Sequence, residues 1–157
     1  MRKPMTKKLD ITAIPSRIGS EYPSPFDEPC KGRDRKPLGD ATGLTQFGVN
    51  LLRLPPGAWS SQRHWHTEED EFAYIVAGEL VLVTDAGEQT LRAGDCAGFK
   101  AGDPSGHHLQ NRSNADAILL EVGSRNAADG VFYPDIDLQI LPHIDTYTHR
   151  DGTPYEK

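Results

Sequence analysis

Residues 64–71 read His-Trp-His-Thr-Glu-Glu-Asp-Glu: two histidines one residue apart, with four acidic residues just behind them. Imidazole and carboxylate together suit a first-row divalent metal. On a strand, side chains alternate faces with a period of two, so His64 and His66 point one way and Trp65 the other. Glu71 follows His66 by an odd offset, which puts it on the opposite face of one straight strand. A turn over Thr67–Asp70 removes the conflict and lets Glu71 open the next strand. Ala73 and Ile75 then share its face, a small lining for a cavity. Phe72, Tyr74 and Val76 share the other face and are expected to pack against a second layer, with Tyr74 in the core. Glu68, Glu69 and Asp70 read as a solvated turn, because four carboxylates cannot crowd one ion without mutual repulsion. One of them could still accept a proton at a pocket mouth.

A fourth ligand must come from elsewhere in the chain. Gly-His-His-Leu-Gln-Asn (106–111) offers His107, which shares a face with Leu109 and Asn111, and His108, which shares one with Gln110. A metal-bound imidazole needs a further partner to fix its tautomer, and Gln62, Gln110 and Asn111 are the candidates. Glu121 interrupts the apolar run Ala117–Gly123. It is either an edge position or a second carboxylate facing inward, available for acid/base work. His143 and His149, near the C-terminal end, read as exposed.

These residues need strands to position them, and the middle of the chain supplies the pattern. Runs at 44–54, 71–78, 79–85, 88–95, 96–100, 107–111 and 117–123 are short, apolar or alternating, and broken by turn residues. Ala86-Gly87 marks a hairpin turn between two of them. Fifteen glycines and twelve prolines agree with many turns. No stretch from 44 to 123 supports a long amphipathic helix. The spacing predicts a β-sandwich or small barrel. Residues 1–40 read as an irregular N-terminal arm with one short strand at Leu9–Ile14. Residues 41–124 form the barrel, and 125–157 a C-terminal extension with a loosely packed polar end.

A chain of 157 residues fits one domain and can bury a core without staples. Its net charge of -6 argues against a nucleic-acid partner, since phosphate contacts need clustered Lys and Arg. The one local basic cluster, Lys31–Lys36 (KGRDRK), reads as a solvated loop, with an anion contact from a mobile arm as the alternative. Cys30 and Cys96 make no disulfide framework. Cys96 is expected in the core and Cys30 at the surface. No apolar run is long enough to span a membrane, and the basic start lacks the apolar region of a secretory signal, so a cytoplasmic location is expected.

The order of these residues resembles the cupin superfamily. Gly57, His64-Trp65-His66, Glu71 and Gly78 match its first motif, with six residues after Gly57 where five are usual. Gly94, His107 and Asn111 match landmarks of its second motif. Lys100 stands where a proline is expected, and two extra residues precede the histidine. The resemblance covers residues 44–123. It implies an all-β double-stranded β-helix, or jelly-roll barrel. It also implies one divalent transition metal (Mn, Fe, Ni, Cu or Zn) held by His64, His66, Glu71 and His107, the motif favouring His107 over His108.

Such a site implies a small-molecule ligand or substrate. One expectation is an isomerase of sugars or sugar phosphates, with Glu121 as the catalytic carboxylate and Lys100, Arg92 or Arg112 as the phosphate contact. An iron-dependent dioxygenase, or a ligand-binding module without turnover, are the alternatives. The resemblance further implies a homodimer, formed through a sheet edge or an exchanged strand at Leu9–Ile14.

Overall fold

The computed structural model describes residues 8–156; the basic start at residues 1–7 and Lys157 lie outside them. Twelve strands follow one another among the described residues: β1 (Arg17–Ile18), β2 (Asp34–Pro37), β3 (Phe47–Leu54), β4 (Trp65–His66), β5 (Glu71–Ala77) and β6 (Glu79–Thr84), then β7 (Gly87–Arg92), β8 (Cys96–Phe99), β9 (His108–Gln110), β10 (Ala117–Ser124), β11 (Val131–Phe132) and β12 (Gln139–Ile140). One helical turn, α1 (Leu38–Ala41), leads into β3.

All pairings are antiparallel. A six-stranded sheet runs β1-β2-β3-β10-β5-β8, and two three-stranded sheets run β7-β6-β9 and β12-β11-β4. Alternate residues of β3, β5, β6 and β10 form the core: Leu52, Leu54, Ala73, Ile75, Leu80, Leu82, Ala117 and Leu119, joined by Leu109 and Ala58. Each fully buried leucine contributes about 1.5–3 kcal/mol through the water it leaves. This is the jelly-roll architecture that the cupin resemblance implies, within the sandwich-or-barrel class that the strand spacing predicts. Gly78 carries the chain from β5 into β6 with φ +80°. A Cβ there would lie 2.7 Å from the Asp116 carbonyl and 2.9 Å from Ala117 Cα, so only glycine fits the corner.

Several expectations need correction. Leu9–Ile14 is not a strand; Ile11–Ala13 forms a 3-10 turn, because the Asp10 carboxylate accepts from Thr12 N at 3.0 Å and caps it. The turn between β6 and β7 is Asp85-Ala86, one residue earlier than expected, since Thr84 pairs with Gly87. Tyr74 is 42% exposed with Phe72 and Val76, because the outer face of β5 has no layer over it among the described residues. The cysteines exchange environments. Cys96 lies on the outer face of β8, whose inward positions are Ala97 and Phe99, while Cys30 is fully buried and its thiol is pushed up to about 11 by desolvation.

The flanking segments are more ordered than their composition suggests. β1 and β2 extend the main sheet, Arg35 lying opposite Leu52 of β3. β11 pairs with β4, so the C-terminal extension is bonded to the strand that carries His66. Arg63 fastens it further through a two-toothed ion pair with Asp135, both contacts 2.8 Å.

Candidate functional site

His64 and His107 face each other across an antiparallel bridge, with His107 N donating to the His64 carbonyl at 2.9 Å. His66 lies on β4 and Glu71 opens β5, after the turn that the odd spacing required. The strands bring the four side chains together. Glu71 Oε2 lies 2.6 Å from His107 Nε2 and 3.3 Å from His64 Nε2, and Glu71 Oε1 lies 3.3 Å from His66 Nε2. Ligand atoms of His64, His66 and Glu71 all lie within 4.8 Å of one another.

The opposite ring nitrogens are engaged. His64 Nδ1 donates to the Gln62 carbonyl at 2.8 Å, and His66 Nδ1 donates to Asp129 Oδ2 at 2.6 Å. With Nδ1 engaged, both Nε2 atoms are left facing Glu71. The His107 ring stacks on Phe99, centroids 3.6 Å apart and planes within 2°. Glu71 Oε2 is buried and has no hydrogen-bond partner among the described residues, although two ring nitrogens lie beside it. An orphaned carboxylate oxygen ringed by imidazole Nε2 atoms is the donor set that a first-row divalent ion takes.

His108 is turned elsewhere. Its Nδ1 lies 2.9 Å from the Ser61 carbonyl, its Nε2 lies 3.0 Å from Gln110 Nε2, and its ring meets Trp59 edge-on. Burial lowers its pKa to about 4. Of the two histidines that the sequence left open, His107 approaches Glu71 and His108 does not. The expected partners of the imidazoles differ too. Gln62 serves through its backbone carbonyl, while Asn111 is buried and holds the Leu54 and Ala115 carbonyls. Asp129 has no counterpart in the sequence reading, because nothing local ties it to a histidine 63 residues away.

Electrostatics sharpen the cluster. Burial opposes ionisation of Glu71, but three surrounding imidazoles outweigh it and hold the carboxyl well below the usual range. Burial likewise opposes charge on His66, yet Glu71 and Asp129 raise its pKa to about 9. In His107 burial wins, and the pKa falls despite Glu71.

The cluster forms one wall of a cavity of about 430 Å³ and borders a second of about 360 Å³ on its other side. Glu121 faces into the first. It is cross-strand from Asn50 and Ala73 on inward positions of β10. Desolvation and the nearby Glu71 charge raise its pKa to about 7, against the pull of Arg33, His64 and Arg35. Glu69, read from sequence as part of a solvated turn, borders both cavities.

The expected cationic contacts fall elsewhere, with one exception. Arg92 pairs with Glu79 at 3.2 Å and Arg112 with Glu88 at 2.7 Å, both exposed on the β7-β6-β9 sheet, while Lys100 lines the second cavity. Arg17, Arg33, Arg35 and Arg125 line the first cavity instead. Two of these come from the KGRDRK run, whose Asp34–Lys36 lie on β2 between β1 and β3 and not in a solvated loop. The phenol-bearing residues Tyr22, Tyr133 and Tyr147 line the same cavity, Tyr133 and Tyr147 coming from the C-terminal extension.

No helix among the described residues is long and apolar enough to cross a membrane. The Cupin domain family model matches residues 50–123. Among curated proteins no match is found. A crystal structure of a sugar phosphate isomerase from a cupin superfamily, from Silicibacter pomeroyi, is 47% identical, with a TM-score of 0.89 over 96% of this chain and 97% of that one. A protein of Acidithiobacillus ferrooxidans, described as a candidate sugar phosphate isomerase, is 26% identical with a TM-score of 0.70, covering 80% of this chain and 81% of that one. The polyketide cyclase of Streptomyces resistomycificus, 20% identical over 76% of this chain and 80% of its own, shares the fold with a TM-score of 0.63. Sharing nearly half its residues with a cupin along almost the whole of both chains, and matching the Cupin domain over its central strands, the chain belongs to the cupin superfamily.

Proposed function

We propose that the chain is a metal-dependent enzyme acting on a small polar molecule, of the sugar or sugar-phosphate isomerase type. In this reading His64, His66, Glu71 and His107 hold one divalent ion, the barrel of residues 41–124 supplies the ligands, and segments 1–40 and 125–157 close the cavity. A bound ion would polarise a substrate carbonyl or hydroxyl. Glu121 would move the proton between neighbouring carbons of the substrate. It is suited to that task because its pKa, raised to about 7, leaves both protonation states populated near neutrality. The observation that carries the reading is this pairing on one cavity wall: a carboxylate poised near neutrality beside a three-histidine, one-carboxylate cluster. The similarity to the Silicibacter pomeroyi isomerase supports the reaction class.

The test has two parts. Elemental analysis of the purified protein is expected to give close to one transition-metal ion per chain. Aldose and ketose phosphates incubated in deuterated water are expected to interconvert with metal-dependent exchange of a carbon-bound proton. Metal with ligand binding and no exchange on any of them would make the chain a binding module instead.

The homodimer also belongs here. Phe47, Phe72, Tyr74 and Val76 are each more than 40% exposed on the outer face of the main sheet. Three of them stand on β5 and Phe47 on β3, across β10; exposed apolar side chains on one sheet face mark an association surface, and a second copy of this chain is the proposed occupant. Sedimentation of the purified chain as a monomer at all concentrations would exclude it.

A further inference from the structure

We propose that Arg17, Arg33, Arg35 and Arg125 form a subsite for a phosphate monoester in the cavity that the histidine cluster also lines, so that the substrate is phosphorylated. The inference deepens the reading above and rests on it for the chemistry at the histidine cluster, but anion capture itself stands on separate residues.

Four guanidinium groups line one cavity. Arg17 and Arg35 are directly opposite one another on β1 and β2. Like charges placed opposite across a strand pair repel, and no ion pair to any of the four exists among the described residues. Arg33 is committed to backbone: it donates to the Gly19 carbonyl at 3.0 and 3.2 Å and to the Ser60 carbonyl at 2.7 Å. That fixes its charge without neutralising it. Arg35 Nε is buried and has no hydrogen-bond partner among the described residues. Burial and then the charges of Arg33, Arg17 and Arg125 depress the Arg35 pKa, and Glu121 offsets only part of this.

Gly48 is an independent sign that the arrangement is built. It sits buried on the inward face of β3, opposite Gly123 of β10. A Cβ there would collide with the guanidinium of Arg125. The missing side chain makes the space that Arg125 occupies over the sheet. Its backbone does not require glycine, since φ is not positive.

Carboxylates line the cavity as well. Glu71 belongs to the histidine cluster, Glu69 feels Asp129, His66 and Arg125, and Glu121 feels Glu71, Arg33, His64 and Arg35. Glu21 lies at the cavity among the tyrosines. The arginines and the histidine cluster thus line one cavity, and Glu121 lies within electrostatic reach of both. Planar guanidinium groups match the oxygens of a phosphate through paired hydrogen bonds, and a monoester dianion supplies the two charges that four clustered arginines call for. A neutral sugar would leave them uncompensated.

The test is isothermal titration calorimetry on the full chain treated with a chelator, using inorganic phosphate, ribose 5-phosphate and ribose. Ribose 5-phosphate and phosphate are expected to bind and ribose is not. Arg35→Gln and Arg125→Gln are each expected to weaken phosphate binding by on the order of 10- to 100-fold, the loss of a hydrogen bond between charged groups. Gly48→Ala, which displaces Arg125 without removing a charge, is expected to weaken it by about tenfold with an unchanged melting temperature. It keeps the test decisive if an arginine variant misfolds. His66→Ala is expected to lose metal yet keep phosphate binding, so failure of the metal reading leaves this one standing. Wild-type phosphate affinity in both Arg35→Gln and Gly48→Ala, equal binding of ribose and its phosphate, loss of phosphate only in His66→Ala, or displacement of phosphate by equimolar succinate would each overturn the proposal.

Discussion

Asp129 Oδ2 lies 2.6 Å from His66 Nδ1, so a residue of the C-terminal extension sets the tautomer of a histidine in the barrel. The same carboxylate is braced by the backbone: its Oδ1 accepts from Glu68 N at 2.9 Å and Glu69 N at 3.2 Å. These contacts order the acidic turn as well as the ring. Asp129→Asn removes the charge and keeps the shape. We expect it to lower metal affinity by roughly 10- to 100-fold, the usual consequence of losing such a partner. Competition with a fluorescent chelator measures it. An unchanged affinity would mean that His66 is aligned by packing alone.

The two adjacent histidines make a paired experiment. His107 Nε2 approaches Glu71, whereas His108 is held by Ser61 and Gln110 in a buried pocket against Trp59. His107→Ala should lose most of the metal with little change in melting temperature. His108→Ala should keep the metal but lose stability by about 1–3 kcal/mol, because buried polar partners are left unpaired. Metal content and thermal denaturation of the two variants decide the matter, and the opposite pattern would reassign the ligand.

How much of this was legible beforehand depends on the range of the interaction. Period-two alternation put Ala73 and Ile75 on the Glu71 face and they are buried there, because that rule is local. It could not say whether the other face is covered, and Tyr74 proved exposed. Cys30 and Cys96 were misplaced for the same reason: Cys96 looked apolar by its neighbours, but its strand turns that position outward. Arg33 and Arg35 resembled a solvated charge run, since their partner in the cavity, Arg125, is distant in sequence and joins them only through the sheet. Asp129 could not be found at all, because no spacing rule links it to His66.

Metal binding should release protons. His66 in the chelated protein has a pKa raised to about 9, so below that pH a proton must leave Nε2 before a metal enters. Glu71 is already ionised and His107 is already biased to neutral, so neither adds a proton. Metal affinity should therefore rise as pH rises towards 9, with about one proton released per ion. For folding, the sign is opposite. A raised histidine pKa stabilises the chelated protein below the unfolded value and that stability is lost as pH climbs through about 9. Calorimetry in buffers of different ionisation enthalpy counts the protons. A pH-independent affinity between 6 and 9 would show that His66 is neutral before metal arrives.

Glu121 gives the complementary case, an acid whose folded pKa of about 7 exceeds its ordinary value of 4.5. Below pH 4.5 both folded and unfolded chains carry the proton, and burial of the neutral carboxyl adds no charge penalty. Between 4.5 and 7 the unfolded chain ionises first, so stability falls as pH rises, and above 7 the penalty is complete. Glu121→Gln removes the ionisable group. In chelated protein the variant should match the wild type near pH 4 and exceed it above pH 7, by up to roughly 3 kcal/mol. If Glu121 also moves the substrate proton, the same variant retains metal and phosphate binding but loses exchange of the carbon-bound proton, and the wild-type rate has a limb near pH 7 that the variant lacks. Denaturant titrations at pH 4, 6 and 8, read beside the exchange rates, separate the two roles. A gain in stability with unimpaired exchange would leave Glu121 a buried acid with no part in the chemistry.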